Sequence, residues 1–167
     1  MKHICATLLL LCNTLNGDLD LDFIEEVKSC ALQYNAIVES PERIPINLVL
    51  AQGILESDWG RSRFATVGNN LFGVKAVNGE DYIKSRNGKK VKKYHTKCDS
   101  VNDYMDLLAH GEPYKEFQEN LFRQWAVDNV DIYELVNHLD KYAEDKKYKK
   151  KVKELIRQLE ELLRFFL

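Results

Sequence analysis

Within residues 48–76, LVLAQGILESDWGRSRFATVGNNLFGVKA, a single carboxylate, Glu56, falls among apolar residues near the end of a helical pattern. Leu48, Ala51, Gln52, Leu55 and Trp59 recur at three- and four-residue intervals with Ile54 beside them, which predicts one helix. Glu56 then occupies its last turn, one helical step from both Gln52 and Trp59. A carboxyl held there against Leu55 and Trp59 loses hydration, which favours its neutral form and raises its pKa towards use as a general acid. On spacing alone a solvated helix-end glutamate is the commoner arrangement, because most glutamates sit at the surface.

The other versatile side chains form no comparable constellation. His3, His95, His110 and His138 are far apart and lack ligand spacing, so neither a metal nor another cofactor is expected. Cys5 and possibly Cys12 fall in the expected leader, and neither Cys30 nor Cys98 has a nearby histidine arranged as a nucleophile's base. In an exported chain Cys30 and Cys98 could pair, but connectivity is not legible, and Cys30 also fits an apolar helix stripe as a small hydrophobe. The chemistry therefore falls to carboxylates and a tyrosine.

Three blocks occur in order over roughly residues 40–155: LAQGILESDWGRSRFA with GNNLFGVKA, then CDSVNDYMDLLAHGEPYKEF, then Tyr142, Ala143, Glu144, Asp145, Tyr148 and Lys151. Together they resemble the bacterial endo-β-N-acetylglucosaminidase domain, family 73 of the glycoside hydrolases, in its Bax-like and flagellar muramidase-like members. The resemblance implies an α+β, predominantly α-helical, lysozyme-like fold with a small β-hairpin lobe, and it makes Glu56 the catalytic acid. Tyr142 is implied at the cleft opposite Glu56, where its hydroxyl meets the N-acetyl group or developing charge. Asn70 and Phe72 are candidates for a sugar-binding floor, an amide for hydroxyls and an aromatic face for the ring, and Tyr148 is a third substrate-binding candidate. The family's second glutamate belongs to the β-lobe. Aligning on Asn87-Gly88 places Lys84 there, leaving Glu80 and Asp81 as the carboxylates close by.

Glycoside cleavage needs an acid for the leaving oxygen and support for the oxocarbenium-like centre, from a second carboxylate or from the sugar's own N-acetyl oxygen. The implied reaction is cleavage of the β-1,4 bond after N-acetylglucosamine in the peptidoglycan glycan strand. A muramidase or lytic transglycosylase would use the same glutamate on the neighbouring linkage, and a wall-binding or assembly module would have lost turnover.

Positioning these groups is the work of ordinary globular sequence: 167 residues, 45% hydrophobic and 30% charged. A net charge of −2 argues against a nucleic-acid binder. Residues 1–17 read as a signal peptide, with Lys2 and His3 before an apolar Ile4–Leu11, too short to span a bilayer; a buried N-terminal helix is the other reading. One domain, 18–167, would then act in the periplasm or cell envelope without stable membrane insertion. No segment for a protein partner stands out.

A helix is expected from Leu21 to Glu39, with Phe23, Ile24, Val27, Cys30, Ala31, Tyr34, Ile37 and Val38 on its apolar face. Pro45 fits the first turn of the Glu56 helix and Gly60 its stop. RSRFATVGNN reads as a loop and Leu71–Ala76 as a strand, followed by short strands at Tyr82–Lys84 and Val91–His95 across the Asn87-Gly88 turn. Lys84, Arg86, Lys89, Lys90, Lys92, Lys93 and Lys97 make this hairpin basic, suited to an anionic wall polymer or phospholipid surface, or simply to a solvated, guarded edge. Helices follow from Asp99 to Leu108, from Pro113 through Phe117, around Ile132–Leu139, and from Val152 onwards. Trp125 is expected in the core, and the lysine run 146–153 on a solvated face.

Overall fold

The computed structural model describes residues 20–140, 142, 145 and 147–166; the expected leader lies outside them. Helix α1 (Leu21–Ile37) starts where the Asp20 carboxylate accepts from the Phe23 amide at 2.9 Å, and it buries the expected face from Phe23 to Tyr34; the face stops there, because Ile37 is 84% exposed and Val38 already extends out of the helix. Helix α2 (Ile46–Ser57) is the central rod. Its residues from Leu48 to Ile54 are all buried, Gln52 among them, because it is covered by α1 on one side and by the last helix on another. Pro45 stands just before the first turn rather than in it.

After α2 the chain forms α3 (Arg63–Gly68), where a loop was expected. Ser62 caps it by accepting from the Ala65 amide, and Asn69 ends it in the left-handed region at φ 52°. The strand expected at Leu71–Ala76 is absent as well, apart from one bridge between Lys75 and Val91. The cause is local. The Phe72 and Val74 amides donate to the Asn70 side-chain oxygen and the Leu71 amide to Ser100 Oγ, so this backbone is satisfied without a ladder.

Strands β1 (Tyr82–Lys84) and β2 (Lys90–Lys92) form the antiparallel hairpin, in the register Tyr82–Lys92, Ile83–Val91, Lys84–Lys90. Gly88 turns it at φ +80°. Ile83 and Val91 point inward, and a Cβ on Gly68 would sit 2.5 Å from Ile83 Cδ1, so the lobe lies hard against α3. The Asn69 amide fastens it further, donating to the carbonyls of Tyr94 and His95 at 3.1 and 2.9 Å.

Helix α4 (Lys97–His110) begins earlier than expected. Thr96 and Asp99 cap each other's amides in a reciprocal box, with Thr96 as the cap and Asp99 three residues in. Cys30 of α1 and Cys98 of α4 form a disulfide, with Cα atoms 5.2 Å apart, which settles the alternatives left open for Cys30. Pro113 lies in a single 3-10 turn (Glu112–Tyr114), and α5 (Lys115–Ala126) runs well past Phe117 to include Trp125. The Trp125 indole donates to the Arg43 carbonyl at 3.1 Å. Helices α6 (Ile132–Asn137) and α7 (Tyr148–Phe166) complete a predominantly helical α+β molecule, α7 lying along α2. No helix among the described residues is long and apolar enough to cross a membrane.

Candidate active site

Glu56 lies in the last turn of α2, half-buried. The helix stops one residue later. Ser57 Oγ donates to the Gly53 carbonyl at 2.6 Å and accepts from the Gly60 amide at 2.8 Å, closing a turn in which Asp58, Trp59 and Gly60 all have positive φ. Two successive non-glycine residues in that region cost on the order of 1–3 kcal/mol each, which this hydrogen-bonded turn helps offset. The break redirects Trp59. Its ring leaves the line of the helix and packs edge-on against Phe23, centroids 6.1 Å apart, so it buttresses α2.

Beside Glu56 lies the Tyr148 hydroxyl, on the first residue of α7, which favours the charged form of the carboxyl. Gln52, one turn before Glu56, orients that hydroxyl. Its side-chain oxygen accepts from the Tyr104 hydroxyl, so its amide nitrogen donates to the Tyr148 oxygen at 2.8 Å. With that lone pair occupied, the Tyr148 proton is left free to turn towards Glu56. Gln52 and Tyr104 are fully buried and Tyr148 is 5% exposed, so water does not compete for the chain. Burial pushes the Glu56 carboxyl above the usual glutamate range, and the Tyr148 hydroxyl opposes this only in part. In turn, burial and the neighbouring Glu56 charge hold the Tyr148 and Tyr114 hydroxyls well into their neutral range.

Tyr142 joins the same cluster. Its ring stacks on Tyr148 at 5.6 Å and meets Tyr104 edge-on at 5.9 Å, and its hydroxyl donates to the Phe72 carbonyl at 2.7 Å. The late sequence block thus has a structural reason. Asp145 accepts from the Lys147 amide at 2.9 Å and pairs with Lys151 at 2.7 Å, closing the turn that delivers Tyr148 to Glu56.

Other candidates are placed differently from expectation. Asn70 is 1% exposed, and its amide nitrogen donates to the carbonyls of Val74 and Lys92, so all its polar atoms face protein and none a sugar. Phe72 is 3% exposed and stacked on Tyr104 at 3.9 Å, which removes its ring as a sugar platform; what it offers the site is its carbonyl. Both correct the sugar-binding floor read from sequence. Tyr148 contacts the acid rather than open solvent.

In the β-lobe, Glu80 accepts from the Val77 amide at 2.8 Å and pairs with Lys92 at 2.7 Å. Lys92 also pairs with Asp103 of α4 at 2.8 Å, and Tyr94 donates to the same Asp103 oxygen. These partners hold the Glu80 carboxyl below its usual range and tie the hairpin to α4. Asp81 is exposed, its carbonyl accepting from the Lys93 amide. Among the described residues no group of three or more His, Cys, Asp or Glu could hold a metal ion. A surface groove of about 660 Å³ lies between the Ser40–Glu42 turn and α5, but none of the chemistry-bearing residues lines it.

Gln52 and Tyr104 are the functional residues that sequence reasoning did not assign. Gln52 carried a signal, a polar side chain in an otherwise apolar helix four residues before the acid. Tyr104 carried none, since an aromatic on an apolar stripe reads as core.

The family model described as mannosyl-glycoprotein endo-beta-N-acetylglucosaminidase matches residues 33–161, from α1 to α7 and across the whole site. The chain belongs to the glucosaminidase family. Among curated glucosaminidase relatives, exo-glucosaminidase LytG of Bacillus subtilis is 35% identical over 42% of this chain and 29% of its own length. An N-acetylmuramoyl-L-alanine amidase domain-containing protein of Staphylococcus aureus is 31% identical over 78% of this chain and 23% of its own. The chain thus spans under a third of the length of these relatives. Among solved structures, the glycoside hydrolase domain of Salmonella typhimurium FlgJ aligns with TM-score 0.62 and 25% identity, covering 89% of this chain and 93% of that one. A peptidoglycan hydrolase from Sphingomonas sp. A1 shares the fold at TM-score 0.66 and 20% identity, covering 86% and 93%. The glucosaminidase fold is lysozyme-like, as the sequence resemblance implied.

Proposed function

We propose that this chain hydrolyses the β-1,4 bond after N-acetylglucosamine in the glycan strand of peptidoglycan, with Glu56 as the proton donor, in the periplasm or cell envelope. What carries this reading is the half-buried carboxyl of Glu56 at the end of α2, set beside the Tyr148 hydroxyl that Gln52 and Tyr104 orient, in a chain of the glucosaminidase family. The name of the N-acetylmuramoyl-L-alanine amidase domain-containing relative supports a wall substrate.

The reaction asks little beyond these residues. Glu56 gives its proton to the bridging oxygen as the C1–O bond breaks, so the leaving sugar departs as a neutral alcohol. Positive charge then grows at C1. Glu80 is a poor candidate to meet it, because Lys92 and the Val77 amide already engage its charge. The acetamido oxygen of the substrate is the better nucleophile: it closes on C1, and water later opens the ring, its proton returning to the Glu56 carboxylate. Tyr142 spends its proton on the Phe72 carbonyl, so its free lone pairs are suited to accept the acetamido N–H and aim the acetyl oxygen at C1.

Product analysis tests the bond. Purified peptidoglycan is digested, reduced with borohydride and examined by mass spectrometry. New reduced ends on N-acetylglucosamine are expected. Reduced ends on N-acetylmuramic acid, or anhydro products, would assign the neighbouring linkage and overturn the reading.

A further inference from the structure

The basic charges of the hairpin and of α7 are handled in opposite ways. On α7 Lys149 pairs with Asp140, Lys151 with Asp145, and Arg157 with Glu154 and Glu161. On the hairpin, Lys84 and Lys90 stand directly opposite each other in register. Like charges so placed destabilise a strand pair. Arg63 adds a third positive group by donating to the Lys84 carbonyl at 3.0 Å, and Arg86 and Lys89 flank the turn. These five side chains are exposed, and none takes part in an ion pair among the described residues. Glu80, close by in sequence, is taken by Lys92. Lys90 rests over the exposed Tyr82 ring at 4.6 Å, a contact that orders the ammonium without neutralising it. A chain of net charge −2 thus concentrates cations on one small lobe and leaves their charge unmatched.

We infer that this hairpin face binds the carboxylates of the peptide stems that hang from the glycan strand. The inference rests on the peptidoglycan reading above. Two features favour stems over a separate anionic polymer. The lobe is fixed to the segment whose Phe72 carbonyl holds Tyr142, through Asn70 to the Lys92 carbonyl and through Gly68 to Tyr94, so whatever occupies the site brings its neighbouring groups towards the hairpin. The stems are also covalently part of that substrate, and arrive with it whenever the site is filled. Lysine suits them, as a mobile point charge for scattered carboxylates rather than a rigid fork for one fixed partner.

The test uses the Glu56→Gln protein as a non-cutting binder, with co-sedimentation on purified peptidoglycan before and after removal of attached phosphodiester polymers, and on the polymer-free glycan stripped of its stems by an amidase and with the lactyl carboxylates so exposed then blocked as amides. A triple Lys84→Gln, Lys89→Gln, Lys90→Gln variant is compared with a control losing the same charge elsewhere, Lys28→Gln, Lys147→Gln, Lys150→Gln. The hairpin variant is expected to bind intact peptidoglycan about tenfold more weakly at low salt, as three lost exposed ion pairs imply, with the difference fading at high salt. It should match its parent on stem-free glycan, and should melt no lower, since it relieves the opposed lysines. Equal binding of variant and parent to intact peptidoglycan, an equal loss on stem-free glycan, or a loss seen only with phosphodiester polymer attached would each overturn the inference. Stem-dependent binding by a protein whose wild type releases no reducing ends would support the surface and count against the glycosidase reading alone.

Discussion

Replacing Glu56 by glutamine is expected to slow clearing of purified peptidoglycan by at least about a hundredfold, the usual scale for loss of a general acid, while wall binding persists. Glutamine keeps the shape and can still accept from Tyr148, but it has no proton to give. The loss should not be one of folding. A glutamate whose folded pKa is raised has its charged form disfavoured by the fold, so its contribution is most favourable below the unfolded pKa and declines as pH rises through the folded one. At neutral pH the Glu56→Gln protein should therefore melt at or slightly above the wild-type temperature. Glu80→Gln is the companion variant. With Glu80 committed to Lys92 and the Val77 amide, turnover should stay within about tenfold of wild type, well short of the loss expected for a catalytic group. A collapse of turnover in Glu80→Gln at unchanged melting temperature would restore a two-carboxylate mechanism.

The second large effect concerns stability. The Cys30–Cys98 bridge closes 68 residues of chain, holding α1 to α4 across the stretch that carries α2 and the hairpin. By the loop-entropy relation, a loop of that length is worth about 4 kcal/mol. A Cys30→Ala, Cys98→Ala protein should accordingly melt roughly 10–15 °C lower in a thermal scan. At temperatures where it remains folded, its pH profile should be that of wild type, since Tyr104 and Gln52 lie further along α4 and α2 and do not touch the bridge. A double variant melting within about 2 °C of the parent would show the bridge to be dispensable.

What could be read from the sequence was what is local to it. The rod of α2 follows from its apolar spacing, the hairpin turn from Asn87-Gly88, and the acid from one carboxylate in a greasy helix end. The hydrogen-bond chain that aims the acid was not legible, because Gln52 meets Tyr104 and Tyr148 from 52 and 96 residues away and no period links them. Trp59 supports the helix, but not from the apolar stripe. Helical spacing extrapolates through Asp58, whereas the backbone there turns left-handed. Leu71–Ala76 has the residue types of a strand, but a single buried side chain, Asn70, takes over two of the amides a ladder would have used. The same residue shows why a polar side chain in a family block need not face substrate. Its block is held together by its hydrogen bonds, and the aromatic beside it, Phe72, contributes a carbonyl rather than a ring.

Whether Glu56 acts as a protonated acid aligned by Tyr148 is tested most directly by the pH dependence of kcat/KM for wild type and Tyr148→Phe. Wild-type activity should fall on the alkaline side, at a midpoint above the ordinary glutamate range, as Glu56 loses its proton. Removing the Tyr148 hydroxyl takes away the polar neighbour that favours the carboxylate, so in Tyr148→Phe that alkaline limb should move to higher pH, whatever happens to the maximal rate. An alkaline limb that stays in place in Tyr148→Phe, or activity that is flat with pH through this range in the wild type, would contradict it.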